Sequence, residues 1–144
     1  MKIFLDANIL VAVLNKEYPV FTYAARIMSL AGNSRYQVYT SPVCLAIAYY
    51  FAEKKSGAKL AKEKIKLLST HLAITAMNGE TVDKALSDKK VKDFEDGLEY
   101  YAAKSVSCNA IITEDVKDYY FSDLEVLTPA GFFEAYMKSA SKKP

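Results

Sequence analysis

Residues 1–14 read MKIFLDANILVAVL, and the change of period inside this stretch decides the architecture. Ile3-Phe4-Leu5 is a short all-apolar run of the kind that forms a strand buried on both faces; Ile9, Leu10 and Val13 then recur at helical spacing. Asp6 and Asn8 stand where one pattern gives way to the other. A carboxylate delivered straight after a core strand is costly to bury unless it is hydrogen-bonded, paired or holding a cation. Asp6 is therefore the first functional candidate.

Working outward, a first helix is expected over residues 9–15, and Pro19 closes the loop after it. Phe21, Ala24, Ala25, Met28 and Leu30 mark a second helix that stops at Gly32-Asn33, a pair suited to the left-handed conformation. Residues 37–40 form a short strand, and Ser41-Pro42 reads as an N-cap followed by a first helical residue, opening an apolar helix over 43–55. Gly57 punctuates, and a helix resumes over 58–69. Leu72-Ala73-Ile74 is a brief strand, Asn78 caps a short helix, and a further helix starts near Asp93 with Phe94, Leu98, Tyr101, Ala102 and Ser105 on one face. Ala110-Ile111-Ile112-Thr113 and Glu125-Val126-Leu127 are the last strands, and Pro129 opens a closing helix with Phe132, Phe133 and Tyr136. Strands alternating with helices predict an α/β fold, a three-layer α/β/α sandwich around a mainly parallel sheet. Residues 1–138 are expected to form one domain, and 139–144 a flexible tail.

Composition sets the outer bounds. With 144 residues, 51% of them hydrophobic and 25% charged, the chain has enough apolar material for a core without disulfides or a structural metal. The 19 basic and 17 acidic residues nearly cancel, so net charge says nothing about nucleic acid. Cys44 and Cys108 stand in apolar settings without a CxxC or Cys/His pattern and read as small buried thiols. His71 is alone, which removes histidine chemistry. The opening stretch lacks a signal peptide's unbroken apolar core and no run of about 20 apolar residues is present, so a cytoplasmic protein without a membrane span is expected.

Three groups of acids stand at element boundaries: Asp6, then Asp93-Phe94-Glu95-Asp96, then Asp115 with Asp118. In a parallel α/β sheet, strand ends near the reversal of strand order gather functional groups, and both Asp6 and the segment after Thr113 follow a strand. Carboxylates held within a few ångströms repel one another, and a hard divalent cation such as Mg²⁺ or Mn²⁺ is the usual compensation. Simpler roles compete: Asp93 as an N-cap, Asp96 as a first-turn acid, Asp118 as a turn residue.

The motifs Phe4-Leu5-Asp6-Ala7-Asn8-Ile9-Leu10, Ser41-Pro42 leading into Leu45-Ala46, Asp93-Phe94-Glu95-Asp96-Gly97, and Ile112-Thr113-Glu114-Asp115-Val116-Lys117-Asp118-Tyr119 occur in that order along nearly the whole chain. Together they resemble a PIN domain, and are similar to small stand-alone bacterial members including VapC-type toxins. The resemblance implies a Mg²⁺- or Mn²⁺-dependent endoribonuclease acting on RNA, and for the toxin members a homodimer and an antitoxin protein. Residue by residue, it implies Asp6, Asp96 and Asp115 as catalytic and metal-binding acids, with Asp93 and Asp118 nearby and Asn8 and Thr113 orienting them.

One position departs from the family pattern. Where many PIN nucleases carry a glutamate in the helix after the second strand, this chain has Ile47, which can neither ligate a metal nor accept a proton; Glu53 lies too far along that helix to replace it. Two readings remain open: a nuclease with fewer ligands, or a catalytically silent RNA- or protein-binding module. A covalent aspartyl-phosphate mechanism ranks below both, because Asn8 stands where a second Asp would be wanted. Lys55, Lys59, Lys62 and Lys66 form a candidate basic stripe for phosphate contacts if the helix runs through Gly57, and even with a break there the last three share a face; a solvated helix surface is the simpler reading.

Overall fold

The computed structural model describes residues 1–137; the tail expected at 139–144 lies outside the described residues. Five strands form one sheet in the order β3-β2-β1-β4-β5, with every neighbouring pair parallel. They are β1 (Lys2–Leu5), β2 (Gln37–Thr40), β3 (Ala73–Ile74), β4 (Ala110–Ile112) and β5 (Glu125–Leu127). The helices are α1 (Ala7–Leu14), α2 (Val20–Ser29), α3 (Pro42–Ser56), α4 (Ala58–His71), α5 (Gly79–Ser87), α6 (Phe94–Ser105) and α7 (Pro129–Phe132). The result is the three-layer α/β/α sandwich that the alternation of apolar strands and helices predicts.

β1 is the hinge of the topology. Ile3 pairs with Val38 on one side and Ala110 on the other, so the chain winds outward from β1 in two directions. Ile3, Phe4, Leu5, Ile111 and Ile112 have no exposed surface. Burying such side chains contributes roughly 1.5–3 kcal/mol each, which fixes β1 and β4 as the rigid centre. Beyond the last paired residues the backbone continues the ladder: Asp6 N–H donates to the Ile112 carbonyl at 3.0 Å, and Thr113 N–H donates to that of Leu127 at 2.9 Å. Asp6 and Thr113 therefore leave adjacent strands side by side.

The helix starts follow local chemistry. The Asp6 carboxylate accepts from Ala7 N–H at 2.8 Å as α1 begins. Ser41 Oγ caps α3 by accepting from Cys44 N–H at 3.0 Å, with Pro42 behind it. Asp93 caps α6 by accepting from Asp96 N–H at 3.0 Å, and Glu95 and Asp96 occupy the first turn where the helix dipole favours acids. Gly57, at φ +83°, ends α3 and opens α4, which separates Lys55 from Lys59, Lys62 and Lys66 and leaves those three on α4. At Gly97, α6 lies close against α5 and the segment that follows it: a Cβ there would stand 2.7 Å from Val91 Cγ1 and 3.2 Å from Ala85 Cβ of α5.

Candidate active site

A cleft of about 450 Å³ opens over the carboxyl ends of β1 and β4. Its walls carry Asp6, Glu17, Asp93, Glu95, Asp96, Asp115 and Asp118, together with Asn8, Ile47 and Phe51, and among the described residues no Lys, Arg or His. All five acids named from the sequence thus line one cavity, although Asp6 and Asp118 lie far apart in the chain. Asp93 takes both of its proposed roles, helix cap and cleft wall.

Asp6 is buried and heavily hydrogen-bonded. Its Oδ2 accepts from the Thr113 hydroxyl at 2.9 Å and the Tyr119 hydroxyl at 3.1 Å, while Oδ1 accepts from Ala7 N–H. Burial nevertheless raises its pKa, against the lowering effect of these bonds and with a smaller push from Asp115. Thr113 is the joint of the site. Besides donating to Asp6, its oxygen accepts from Asn8 Nδ2 at 2.9 Å and from Asp115 N–H at 3.0 Å. Asn8 closes the ring by donating to Asp115 Oδ2 at 3.2 Å and accepting from Glu114 N–H at 3.1 Å. Asn8 and Thr113 therefore hold Asp6 and Asp115 in fixed relation.

Across the cleft, Asp96 is half-buried among like charges. Desolvation, followed by the proximity of Asp93, Asp6, Asp118 and Glu95, pushes its carboxyl up to about 7. The ion pairs Lys84–Glu80 and Lys104–Asp123 lie elsewhere, so among the described residues no lysine or arginine is paired with a cleft acid. Hard oxygen donors converging without a basic neighbour are the donor set that Mg²⁺ or Mn²⁺ takes, and the residues present fit such an ion.

Beneath Asp6 lies a feature that sequence reasoning missed. Glu99, on α6 one turn beyond Asp96, is 1% exposed. Its Oε1 accepts from Ser41 Oγ at 2.6 Å, and Oε2 accepts from the Cys44 thiol. One ligand atom each from Asp6, Cys44 and Glu99 lies within 4.8 Å of the other two. Burial pushes Glu99 up to about 7, opposed by the bonds from Cys44 and Ser41 and reinforced by Asp6. Cys44 is buried as expected, but its setting is not apolar: burial and the Glu99 carboxylate together raise its pKa well above the ordinary thiol value. The signal available in sequence was the spacing of three between Asp96 and Glu99, which places both on one helical face. Tyr119, the last residue of the fourth motif and given no role there, donates its hydroxyl to Asp6.

Ile47 points into the cleft, so α3 offers it no carboxylate, and Glu53 is exposed and absent from its walls. The basic stripe is divided. Lys55 is tied to the Asn15 carbonyl, whereas Lys59, Lys62 and Lys66 lie on α4 beyond the Gly57 break.

The fold and the acidic cleft define a class, and the comparison with known families states it: the chain belongs to the PIN domain family, whose model matches residues 2–117. Among individual proteins, the chain is 30% identical over 139 residues to Ribonuclease VapC1 of Aquifex aeolicus (strain VF5), covering 94% of this chain and 95% of that protein. Two solved structures share the fold: VapBC2 from Rickettsia felis bound to a DNA fragment from their promoter (TM-score 0.67, 18% identity, 88% of this chain and 97% of that one), and VapBC-1 from nontypeable Haemophilus influenzae (TM-score 0.67, 18% identity, 90% and 99%). Mycobacterium tuberculosis VapC20, a sarcin-ricin loop cleaving toxin, is similar at TM-score 0.60 and 17% identity over 76% and 86%.

Proposed function

We propose that this protein is a divalent-metal-dependent endoribonuclease of the VapC type. The observation that carries the reading is the convergence of Asp6, Asp96 and Asp115 on one cleft whose walls, among the described residues, contain no cationic side chain. An RNA phosphodiester is an anion, and seven carboxylates facing it would repel it unless a cation stands between. The similarity to Ribonuclease VapC1 along nearly the full length of both chains supports the same reading.

Asp6, Asp96 and Asp115 would hold Mg²⁺ or Mn²⁺. Such an ion, when bound, makes water acidic enough to attack and offsets charge developing on the phosphate oxygens. The chain's own residues supply geometry. Thr113 and Asn8 fix the Asp6 and Asp115 carboxylates against each other, while Asp93 and Asp118 add negative potential at the cleft wall. Phe51, partly exposed at the cleft, gives a flat face for an unpaired base, and the exposed Lys59, Lys62 and Lys66 are candidate phosphate contacts. An antitoxin protein and a second copy of this chain are the partners that accompany this function. No helix among the described residues is long and apolar enough to cross a membrane, and the free thiols Cys44 and Cys108 fit a reducing cytoplasm.

The test is cleavage of an RNA panel by purified protein with Mn²⁺ or Mg²⁺, beside Asp6→Asn. Cleavage that needs the ion and falls at least about 100-fold in the variant supports the proposal; equal activity in both overturns it. Ile47 in the cleft wall favours a second reading, a silent RNA- or protein-binding module. RNA binding without turnover at any Mn²⁺ concentration would establish that alternative.

A further inference from the structure

Asp6 and Glu99 are two carboxylates buried in the same few ångströms, 8% and 1% exposed, and among the described residues neither has a lysine or arginine partner. Two like charges in that setting raise each other's energy, and Glu99 would be cheaper as glutamine or leucine if its task were packing alone. Ser41 and Cys44 instead hold its two oxygens from α3. Those residues belong to a series at spacing three, Ser41, Cys44 and Ile47, and the third member faces the cleft. Glu99 thus brings a carboxylate from α6 to the base of the α3 face that lacks one of its own. It also comes from the same helix as Asp96, one turn further on, and its carboxylate reaches within 4.8 Å of a ligand atom of Asp6.

We infer that Glu99 is the fourth acid of the metal site, supplying from α6 the negative charge that Ile47 leaves out of α3. The inference rests on the proposed reading of the cleft as a divalent-cation site and adds a residue to it. It explains why a buried acid persists between Ser41 and Cys44, and why the absence of a carboxylate at position 47 does not leave Asp6 as the one buried acid of the site among the described residues.

The experiment is Mn²⁺ binding to purified full-length protein, followed by calorimetry and by the loss of the free-ion electron paramagnetic resonance signal. Glu99→Gln preserves shape and removes charge; it is expected to weaken Mn²⁺ binding about 10- to 100-fold. Ile47→Glu is expected to restore most of that loss in the Glu99→Gln background and to strengthen binding far less in the wild-type background, a non-additivity that a purely structural role for Glu99 would not produce. Glu99→Asp, which keeps the charge but withdraws it by one methylene, is expected to weaken binding as well and serves if the glutamine variant fails to fold. Asp6→Asn separates the two levels of inference. Wild-type affinity in the Glu99 variants beside lost affinity in Asp6→Asn overturns the role of Glu99 alone. Wild-type affinity in all of them overturns it together with the metal-site reading.

Discussion

Thr113 spends its whole hydrogen-bonding capacity on Asp6 and the groups around it. The hydroxyl donates its one proton to Asp6 Oδ2 at 2.9 Å, and both lone pairs are taken, by Asn8 Nδ2 and by Asp115 N–H. Thr113→Val keeps the volume and deletes all three bonds in a fully buried position. It is expected to cost about 1–3 kcal/mol in urea denaturation and to lower RNA cleavage at least about 10-fold. Thr113→Ser should retain most of both, and a valine variant with wild-type stability and activity would contradict the role.

Ser41 holds two elements at once, capping α3 through Cys44 N–H and donating to Glu99. Alanine removes the cap, worth about 1 kcal/mol, and leaves a buried carboxylate oxygen short of a partner, worth about 1–3 kcal/mol more. Chemical denaturation of Ser41→Ala should therefore show a loss of about 2–4 kcal/mol, with Ser41→Thr close to wild type. A loss no larger than an ordinary cap would show that the Glu99 contact contributes nothing.

The acids give the metal-free protein a pH dependence of definite sign. Asp96 and Glu99 are raised from 3.8 and 4.5 to about 7, so between these limits the folded chain binds more protons than the unfolded one. Stability is then fully present below the unfolded values and falls as pH rises through about 7. Asp88 and Asp123, both lowered, are ionised in either state above pH 5 and add no slope there. Thermal melts in a chelating buffer should show a Tm about 5 °C lower at pH 7.5 than at pH 5.5. Millimolar Mn²⁺ should raise Tm more at the higher pH, where the carboxylates are ionised. A flat or rising metal-free profile over this range would argue against the acidic cluster as drawn.

Gly97 sets how closely α6, and with it Asp96 and Glu99, approaches α5. A Cβ at this position meets Val91 and Ala85 at 2.7 and 3.2 Å. Gly97→Ala is expected to destabilise by about 1–3 kcal/mol despite the better helix propensity of alanine. Because the displaced helix carries Asp96 and Glu99, the two acids assigned above to the proposed metal site, cleavage should fall further than the fraction folded. Activity that merely tracks the folded fraction would show that α6 has room to adjust.

Most of the fold was legible because the strands are short, apolar and bounded by capping residues. Ser41-Pro42, Asp93 and Pro129 each announced a helix start, and each stands at one, whereas α1 begins at Ala7, two residues before the expected Ile9, with Asp6 as its cap. Asp6 could be named because a carboxylate at the end of a buried strand has few bland explanations, whereas Asp93, Asp96 and Asp118 have simple capping and turn roles and are singled out by the order of the motifs along the chain. Glu99 escaped because it lies in mid-helix, where a single acid reads as solvated surface; only the approach of α3, through Ser41 and Cys44, makes it buried. Cys44 escaped for the complementary reason, since its sequence neighbours are apolar while its spatial neighbours are acids. Neither relationship is local, and hydrophobic periodicity carries no information about which helix a buried polar face will meet.

The parallel sheet also imposes a timetable on synthesis. Asp6 is bound by Tyr119, 113 residues later, and Asn8 by Thr113, 105 residues later, because β1 at the start of the chain pairs with β4 near its end. At about 5–20 residues per second, roughly 5–20 s separate the emergence of the first acid from that of the residues that orient it. A ribosome-bound fragment ending before β4 carries Asp6 but cannot build the cleft, so the growing chain stays inert toward the RNA around it until β4 and residues 113–119 have emerged.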